Sequence, residues 1–278
     1  MDSAKFKEFF EPYAKNVDKA NSQAFWKLSD KLITEIIKLH IPASLTEDQT
    51  ILDAGGGTAR WACELSSTFK AKFIVYDLSE DMLSVARNNV TEAGLAERVT
   101  LMQGDLKDMA ALADNSVDHI ISIYSPLSFI YEKNEALREL FRILKPGGKI
   151  IIMGHGYFNA LSSKINNYLA PAEELQMMAE EQMVQWGEHV PKLNIFSKEI
   201  MEEDLAKAGF SIITTHGVPV FVQPGAEDFD PTNAKQSRIS SALENPEFFN
   251  KVFELEMKYN ADPAVANRGM NIFSVATK

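Results

Sequence analysis

The chain has 278 residues, 45% of them hydrophobic, with 39 acidic against 28 basic side chains and a formal charge of -11. That length suits one large α/β domain with an insertion, or two small domains, and the apolar share is ample for a core. The acidic balance, with no dense basic run, argues against a long nucleic-acid partner, and the single cysteine, Cys63, excludes a disulfide framework or a multi-thiolate metal site.

Residues 3–20 read as a polar and aromatic helical lead-in. A helix over 22–39 follows, because Phe25, Leu28, Leu32, Ile36 and Leu39 recur at helical spacing, and Pro42 helps to end it. Thr50 to Ala54 is a short buried strand. Three glycines follow, then a helix from Arg60 to about Phe69. Phe73 to Tyr76 is the second strand, ending at Asp77. Ser79 is placed to cap the helix that carries Met82, Val85 and Ala86. Val99 to Met102 is the third strand and His119 to Ile123 the fourth. Asn134 to Leu144 is helical up to the turn Lys145-Pro146-Gly147-Gly148, and Lys149 to Met153 is the fifth strand. Strands separated by helices imply βαβ units and a mostly parallel sheet.

The pattern then changes. Residues 157–190 contain no convincing strand and read as one or two helices, with Tyr157, Leu161, Ile165, Tyr168 and Leu169 on the first. Leu175, Met177, Met178, Met183, Val184 and Trp186 belong to the second. Ser197 to Ala208 is a helix ended by Gly209. Phe210 to Thr215 is a strand, 223–236 a loop, Glu247 to Tyr259 a helix and Met270 to Ala276 the last strand. This divides the chain into a lead-in or cap (1–45), a core (46–156), a helical insertion (157–196) and a C-terminal part of the same sheet (197–278).

The strand ends carry the chemistry. Asp53-Ala54-Gly55-Gly56-Gly57-Thr58 joins the first strand to a helix, where glycines permit a tight turn and close approach of a ligand. Asp77 ends the second strand, about twenty residues on, a spacing that also suits a dinucleotide site. Arg60 stands where the last glycine of Gly-x-Gly-x-x-Gly would fall, which counts against that alternative. Gly104-Asp105-Leu106 follows the third strand, and Lys145-Pro146-Gly147-Gly148 precedes the fifth.

Together, in this order, these pieces resemble the class I S-adenosylmethionine-dependent methyltransferases, of the small-molecule type with a helical cover. The resemblance runs from about residue 20 to the C-terminus. It implies a Rossmann-like α/β fold: a mostly parallel seven-stranded sheet, helices on both faces and a helical insertion after the fifth strand. It implies S-adenosyl-L-methionine as cofactor. Asp53 would lie near the methionine amino group, with Gly55 and Gly57, rather than Gly56, lining the turn. Asp77, with Leu78 beside it, would take the ribose hydroxyls. Gly104 and Asp105 would sit beside the adenine, with Met82 and Leu106 on its faces. Ser122 to Ser125 would pass beneath the sulfonium, with Tyr124 as a pocket wall.

An alcohol, phenol or ammonium acceptor needs a base, whereas a neutral amine, thiolate or carboxylate does not. His155, beyond the fifth strand, is a candidate acid–base or substrate-orienting residue, and His216 a second. Tyr13 is a third, since the family often places an N-terminal aromatic over the cofactor. His189 could reach the pocket from a lid, and His119, inside a strand, reads as structural. Met177, Met178, Met183 and Trp186 read either as an adaptable wall for an apolar or aromatic acceptor or as helix packing. His216 to Val220, Glu254-Leu255-Glu256, Asp262-Pro263 and Arg268-Gly269 resemble the tail of free-standing members.

The expectation is a small-molecule oxygen or nitrogen methyltransferase, without metal, nucleic-acid or membrane partner. No apolar run approaches the length of a membrane span, no signal-peptide segment is evident, and a reducing cytoplasm is the expected setting. The rivals are methylation of protein or RNA, and a non-catalytic cofactor-binding protein. Oligomeric state is not legible.

Overall fold

The computed structural model describes residues 18, 22–188, 190–230, 232 and 234–278. Helix α1 (Ala24–His40) buries Phe25, Leu28, Leu32 and Ile36 as the spacing predicts, together with Ile33 and Ile37, whereas Leu39, expected on the same face, is exposed in the last turn. The βαβ half follows as β1 (Thr50–Ala54), α2 (Arg60–Leu65), β2 (Lys72–Asp77), α3 (Glu80–Glu92), β3 (Val99–Gln103), β4 (Val117–Ser122), α4 (Lys133–Ile143) and β5 (Leu144–Gly156). The remainder is α5 (Tyr157–Asn166), α6 (Ala172–Glu181), β6 (Met183–Val184), β7 (Leu193–Phe196), α7 (Lys198–Ala208), β8 (Ser211–Val218), α8 (Arg238–Leu243), α9 (Pro246–Tyr259) and β9 (Asn271–Thr277).

Seven of the strands form the expected sheet in the order β3-β2-β1-β4-β5-β9-β8. The pairs among β1 to β5 are parallel, and β9 lies antiparallel between β5 and β8. Both faces are covered, so the strands are apolar in both directions. Along β5, Ile151 and Met153 join one core with α1, α2, α3, α8 and α9. Ile150 and Ile152 join the other with α4 and α7. Ser79 caps α3 by accepting the Met82 N–H at 3.3 Å. Gly209 ends α7 at φ +108°, a left-handed value that suits glycine.

The insertion differs from expectation. Two helices are present, but Met183–Val184 and Leu193–Phe196 are strands rather than helix. They pair antiparallel with each other, and β7 continues the sheet beside the end of β5, Ile195 against His155 and Phe196 against Gly156. Leu193, Ile195 and Val184 close a small third core with Ala160 and Met178, and that burial holds these short strands in place. β5 also runs further than the sequence suggests, starting at Leu144 and absorbing the Lys145 to Gly148 turn. His155 therefore lies within β5, not beyond it.

The strand order reverses between β1 and β4, so the crevice expected of an open α/β sheet opens at their carboxyl ends. Asp53, Asp77, Gln103 and Ser122 come to this edge together.

Candidate functional site

The glycine loop leaves β1 under tight constraint. Gly55 has φ +74° and donates its N–H to the Tyr76 carbonyl at 2.8 Å. Gly57 has φ +53° and donates to Asp77 Oδ2 at 2.9 Å. Gly56 is held differently: a Cβ there would stand 2.7 Å from Asp53 Cγ and 2.8 Å from Val75 Cγ1. Sequence reading ranks Gly56 behind its neighbours, whereas sterically it is as demanding as Gly55. A Gly56→Ala change is expected to displace Asp53 and weaken binding of S-adenosyl-L-homocysteine by about tenfold or more, a displacement worth at least ~1.4 kcal/mol. Calorimetric titration of the variant at wild-type affinity would contradict this.

Asp53 is 1% exposed, and its Oδ2 is buried with no hydrogen-bond partner among the described residues. Burial, reinforced by the nearby Asp77 carboxylate, pushes its carboxyl up to about 7, against the Ala62 N–H and Arg60. A buried oxygen without a donor is costly. An ammonium group seated at the loop supplies the missing donor and charge, so the residues present fit the methionine end of the expected cofactor.

Asp77 is oriented by its own turn: Oδ1 accepts the Ser79 N–H and Oδ2 the Gly57 N–H, each at 2.9 Å. Burial raises its carboxyl and these amides oppose the rise. Each oxygen keeps a second lone pair, enough for a pair of ribose hydroxyls. Leu78, half-buried, follows it, and its carbonyl accepts from Gln103 at 3.3 Å. At the end of β3 the Tyr76 ring fills the place of a Gly104 side chain. Asp105 Oδ1 accepts the Lys107 N–H at 2.9 Å. Met82 and Leu106 are both buried. Met82 Sδ lies 4.0 Å from where a Gly57 Cβ would be, and Leu106 Cδ1 lies 3.9 Å from a Gly55 Cβ. Apart from Tyr124, the cofactor residues expected from sequence are thus gathered at one edge.

On the β4–β5 side, Ser122 Oγ ties β4 to β1 by donating to the Ala54 carbonyl at 2.8 Å. Tyr124 turns toward α1 and α2: its hydroxyl donates to Asp30, and its ring meets Trp26 and Trp61. His155 is hydrogen-bonded through its ring to Asn271, and its N–H donates to Ser128 Oγ at 3.0 Å. Burial pushes its imidazole down to about 4, with Asn271 opposing. Ser125 Oγ donates to Asn271 Oδ1 at 3.1 Å, so the buried Ser125 and Asn271 form one polar group with the partly buried His155. Sequence reading missed Asn271; the only signal was an amide opening a mostly apolar strand.

His216 is not brought to this group. It is 6% exposed, its Nδ1 bonds Asn260 at 2.9 Å, and its ring packs against His40 at 5.8 Å. His40 is the last residue of α1 and Asn260 the residue after α9, so His216 serves the docking of these helix ends on β8. His119 is structural, with Nδ1 accepting the Lys149 N–H at 3.2 Å. Tyr13 and His189 lie outside the described residues. Met178 is fully buried in the third core, with Trp186 packed against it. Among the described residues no three His, Cys, Asp or Glu side chains come together as a metal site, and no helix is long and apolar enough to cross a membrane.

Residues 51–148 match the family model of the methyltransferase domain. The chain is 33% identical over 148 residues to a demethylmenaquinone methyltransferase of Listeria monocytogenes, covering 52% of this chain and 60% of that protein. It is 34% identical over 107 residues to the ubiquinone/menaquinone biosynthesis C-methyltransferase UbiE of Vibrio cholerae, covering 38% and 40%. The matches therefore span between two and three fifths of those relatives' lengths. In fold it is similar to a putative methyltransferase solved with the Haloferax volcanii activator Trm112 (TM-score 0.61, 18% identity, 96% of each chain). It is likewise similar to a possible histamine N-methyltransferase of Thermotoga maritima (TM-score 0.59, 18% identity, 98% and 99%). With the glycine loop, the two strand-end acids and this sheet order, residues 51–148 carry a methyltransferase domain, and the chain has the class I S-adenosylmethionine-dependent methyltransferase fold, with S-adenosyl-L-methionine as its cofactor.

Proposed function

We propose that this protein transfers the methyl group of S-adenosyl-L-methionine to a small-molecule acceptor of apolar or aromatic character, at nitrogen or oxygen. The observation that carries this reading is the polar group of Ser125, His155 and Asn271 at the ends of β4, β5 and β9, joined to the glycine loop through Pro126, which packs on Gly55. When bound, the cofactor supplies a methyl group already activated by positive sulfur. The protein's task is then alignment and exclusion of water. Asp53 and Asp77 hold the two ends of the cofactor. Ser125 and His155 orient the acceptor at the ends of β4 and β5. Phe129, Tyr157 and Trp186, packed on the third core, provide apolar surface nearby.

The state of His155 narrows the acceptor. Its imidazole, held at about 4, stays neutral at physiological pH. Taking a proton from a phenol near 10 would cost about 8 kcal/mol, at ~1.4 kcal/mol per pH unit. His155 therefore orients by hydrogen bonding rather than serving as a strong base. This favours a neutral amine or an acceptor ionised before it binds. A second reading, methylation at an electron-rich ring carbon, is favoured by the similarity to the Vibrio cholerae C-methyltransferase of ubiquinone/menaquinone biosynthesis. We place the protein in a reducing cytoplasm, in keeping with its single free cysteine, and without membrane or nucleic-acid partner.

The test is release of S-adenosylhomocysteine, with mass analysis of products, over a panel of aromatic amines, catechols and hydroquinones. The expected result is a methylated small molecule and, at saturating S-adenosyl-L-methionine, a pH–rate profile with no break between 6 and 7 from His155. Turnover only on protein or RNA, or cofactor binding without any turnover, would overturn the reading.

A further inference from the structure

Two consecutive non-glycine residues, Tyr124 and Ser125, hold left-handed backbones at the end of β4, with φ of +58° and +68°. Side chains resist this conformation, and it persists only where the surroundings over-determine it. Here four contacts do so. The Tyr124 N–H donates to Met153 Sδ at 3.1 Å, and the Tyr124 hydroxyl donates to Asp30 Oδ1. Ser125 Oγ donates to Asn271 Oδ1 at 3.1 Å, and the Ser128 N–H closes on the Ser125 carbonyl at 2.9 Å.

The next residue, Pro126, is where the turn meets the cofactor loop, for a Cβ on Gly55 would stand 2.5 Å from its Cβ. At the other end of that loop Arg60 opens α2. Its guanidinium lies fork-wise on the same Asp30 carboxylate, Nη1 at 2.7 Å from Oδ2 and Nη2 at 3.3 Å from Oδ1. The guanidinium also lies over the Tyr124 ring, 5.3 Å from its centroid. One carboxylate on α1 thus holds both the turn packed on the front of the glycine loop and the residue that follows the loop.

We propose that Asp30 is a positioning residue for the cofactor: by holding Tyr124 and Arg60 together, it sets the cleft between the glycine loop and the Tyr124–Pro126 turn. This rests on the reading of the loop as a cofactor site. Asp30 belongs to none of the strand-end motifs. Docking of α1 does not require it either, since Phe25, Leu28, Leu32, Ile33, Ile36 and Ile37 are already fully buried. A bidentate Arg–carboxylate pair sharing an oxygen with a phenol fixes direction as well as distance, which is what a cleft wall needs.

The experiment compares the full-length protein with Asp30→Asn and Tyr124→Phe, the latter keeping the ring on Trp26 and Trp61 and losing only the hydroxyl. S-adenosyl-L-homocysteine and adenosine are titrated into each, with Tm recorded alongside. Adenosine engages the β2 and β3 ends and lacks the methionine portion that reaches the braced cleft. Both variants are expected to bind S-adenosyl-L-homocysteine about tenfold more weakly and adenosine within about twofold of wild type. Equal weakening of both ligands would reduce Asp30 to a structural role, and unchanged S-adenosyl-L-homocysteine affinity would remove the brace altogether. Failure of the wild-type protein to bind S-adenosyl-L-homocysteine would instead sink the cofactor-site reading itself.

Discussion

Asp53→Asn is expected to stabilise the ligand-free protein and to cost it most of its affinity for cofactor. The Asp53 carboxyl sits near 7 in the folded chain against an ordinary 3.8. The folded state thus holds this proton more tightly than the unfolded state. The stability it contributes is fully present at pH below about 4 and is lost as pH rises through about 7, where a bare charge is left in the core. That window corresponds to about 4 kcal/mol at ~1.4 kcal/mol per unit, an upper figure because the asparagine amide also needs partners. The Tm of the wild type should therefore fall between pH 5 and 8, and that of Asp53→Asn should not.

Cofactor affinity runs the opposite way. The ammonium group of the methionine end needs Asp53 ionised, so binding to the wild type should weaken by up to about tenfold per unit below pH 7. The groups facing this carboxylate are Asp77, Arg60 and Cys63. Burial raises the Cys63 thiol, so its titration stays clear of the window. Losing one partner of a buried charge pair costs about 3–5 kcal/mol, which puts the affinity loss in Asp53→Asn at a hundredfold or more. Thermal scans and calorimetric titrations of S-adenosyl-L-homocysteine across pH 5–9 check both halves. A wild-type affinity that is flat over this range would refute the assignment of Asp53 to the ammonium.

The cofactor half of the site was legible because its geometry is local. Asp77 is fixed by amides in its own turn and in the glycine loop, and each strand end announces itself by an acid or a glycine beside an apolar run. The acceptor half was not. Asn271 lies 146 residues from the Ser125 it holds, and Asp30 lies 94 residues from Tyr124. Nothing in the neighbourhood of either marks it apart from any helix carboxylate or strand amide. The ribbon of β6 and β7 was missed for a related reason. A two-residue strand has no readable period, and β7 is buried throughout, so no alternation survives. His155 was placed beyond β5, yet the strand continues because Gly154 and Gly156 let neighbours close in. The Phe196 ring and the Gly269 carbonyl occupy the places where their side chains would be.

Glu256→Ala is expected to be among the most destabilising single changes in the chain. The sequence presents Glu254-Leu255-Glu256 as one tail feature, and the fold separates its two acids completely. Glu254 is exposed and pairs with Lys251 at the surface. Glu256 is 0% exposed, and its carboxylate accepts three successive amides, from Val220, Phe221 and Val222, at 2.8, 2.9 and 3.0 Å. These amides belong to the segment that follows β8, and no sheet ladder satisfies them. Removing the carboxylate strands three N–H groups at about 1–3 kcal/mol each, part of it recovered by water, and leaves a cavity. We expect a loss of about 4 kcal/mol and a fall in Tm of roughly 10 °C, at 2–4 °C per kcal/mol for a chain of this size. Glu256→Gln should be nearly as damaging, because its amide turns a donor toward backbone donors. Glu254→Ala should stay within about 0.5 kcal/mol of wild type. Urea unfolding of the three variants separates the alternatives: if Glu256→Gln proves neutral, one uncharged acceptor oxygen suffices at this position, and neither the charge nor the second carboxylate oxygen is required.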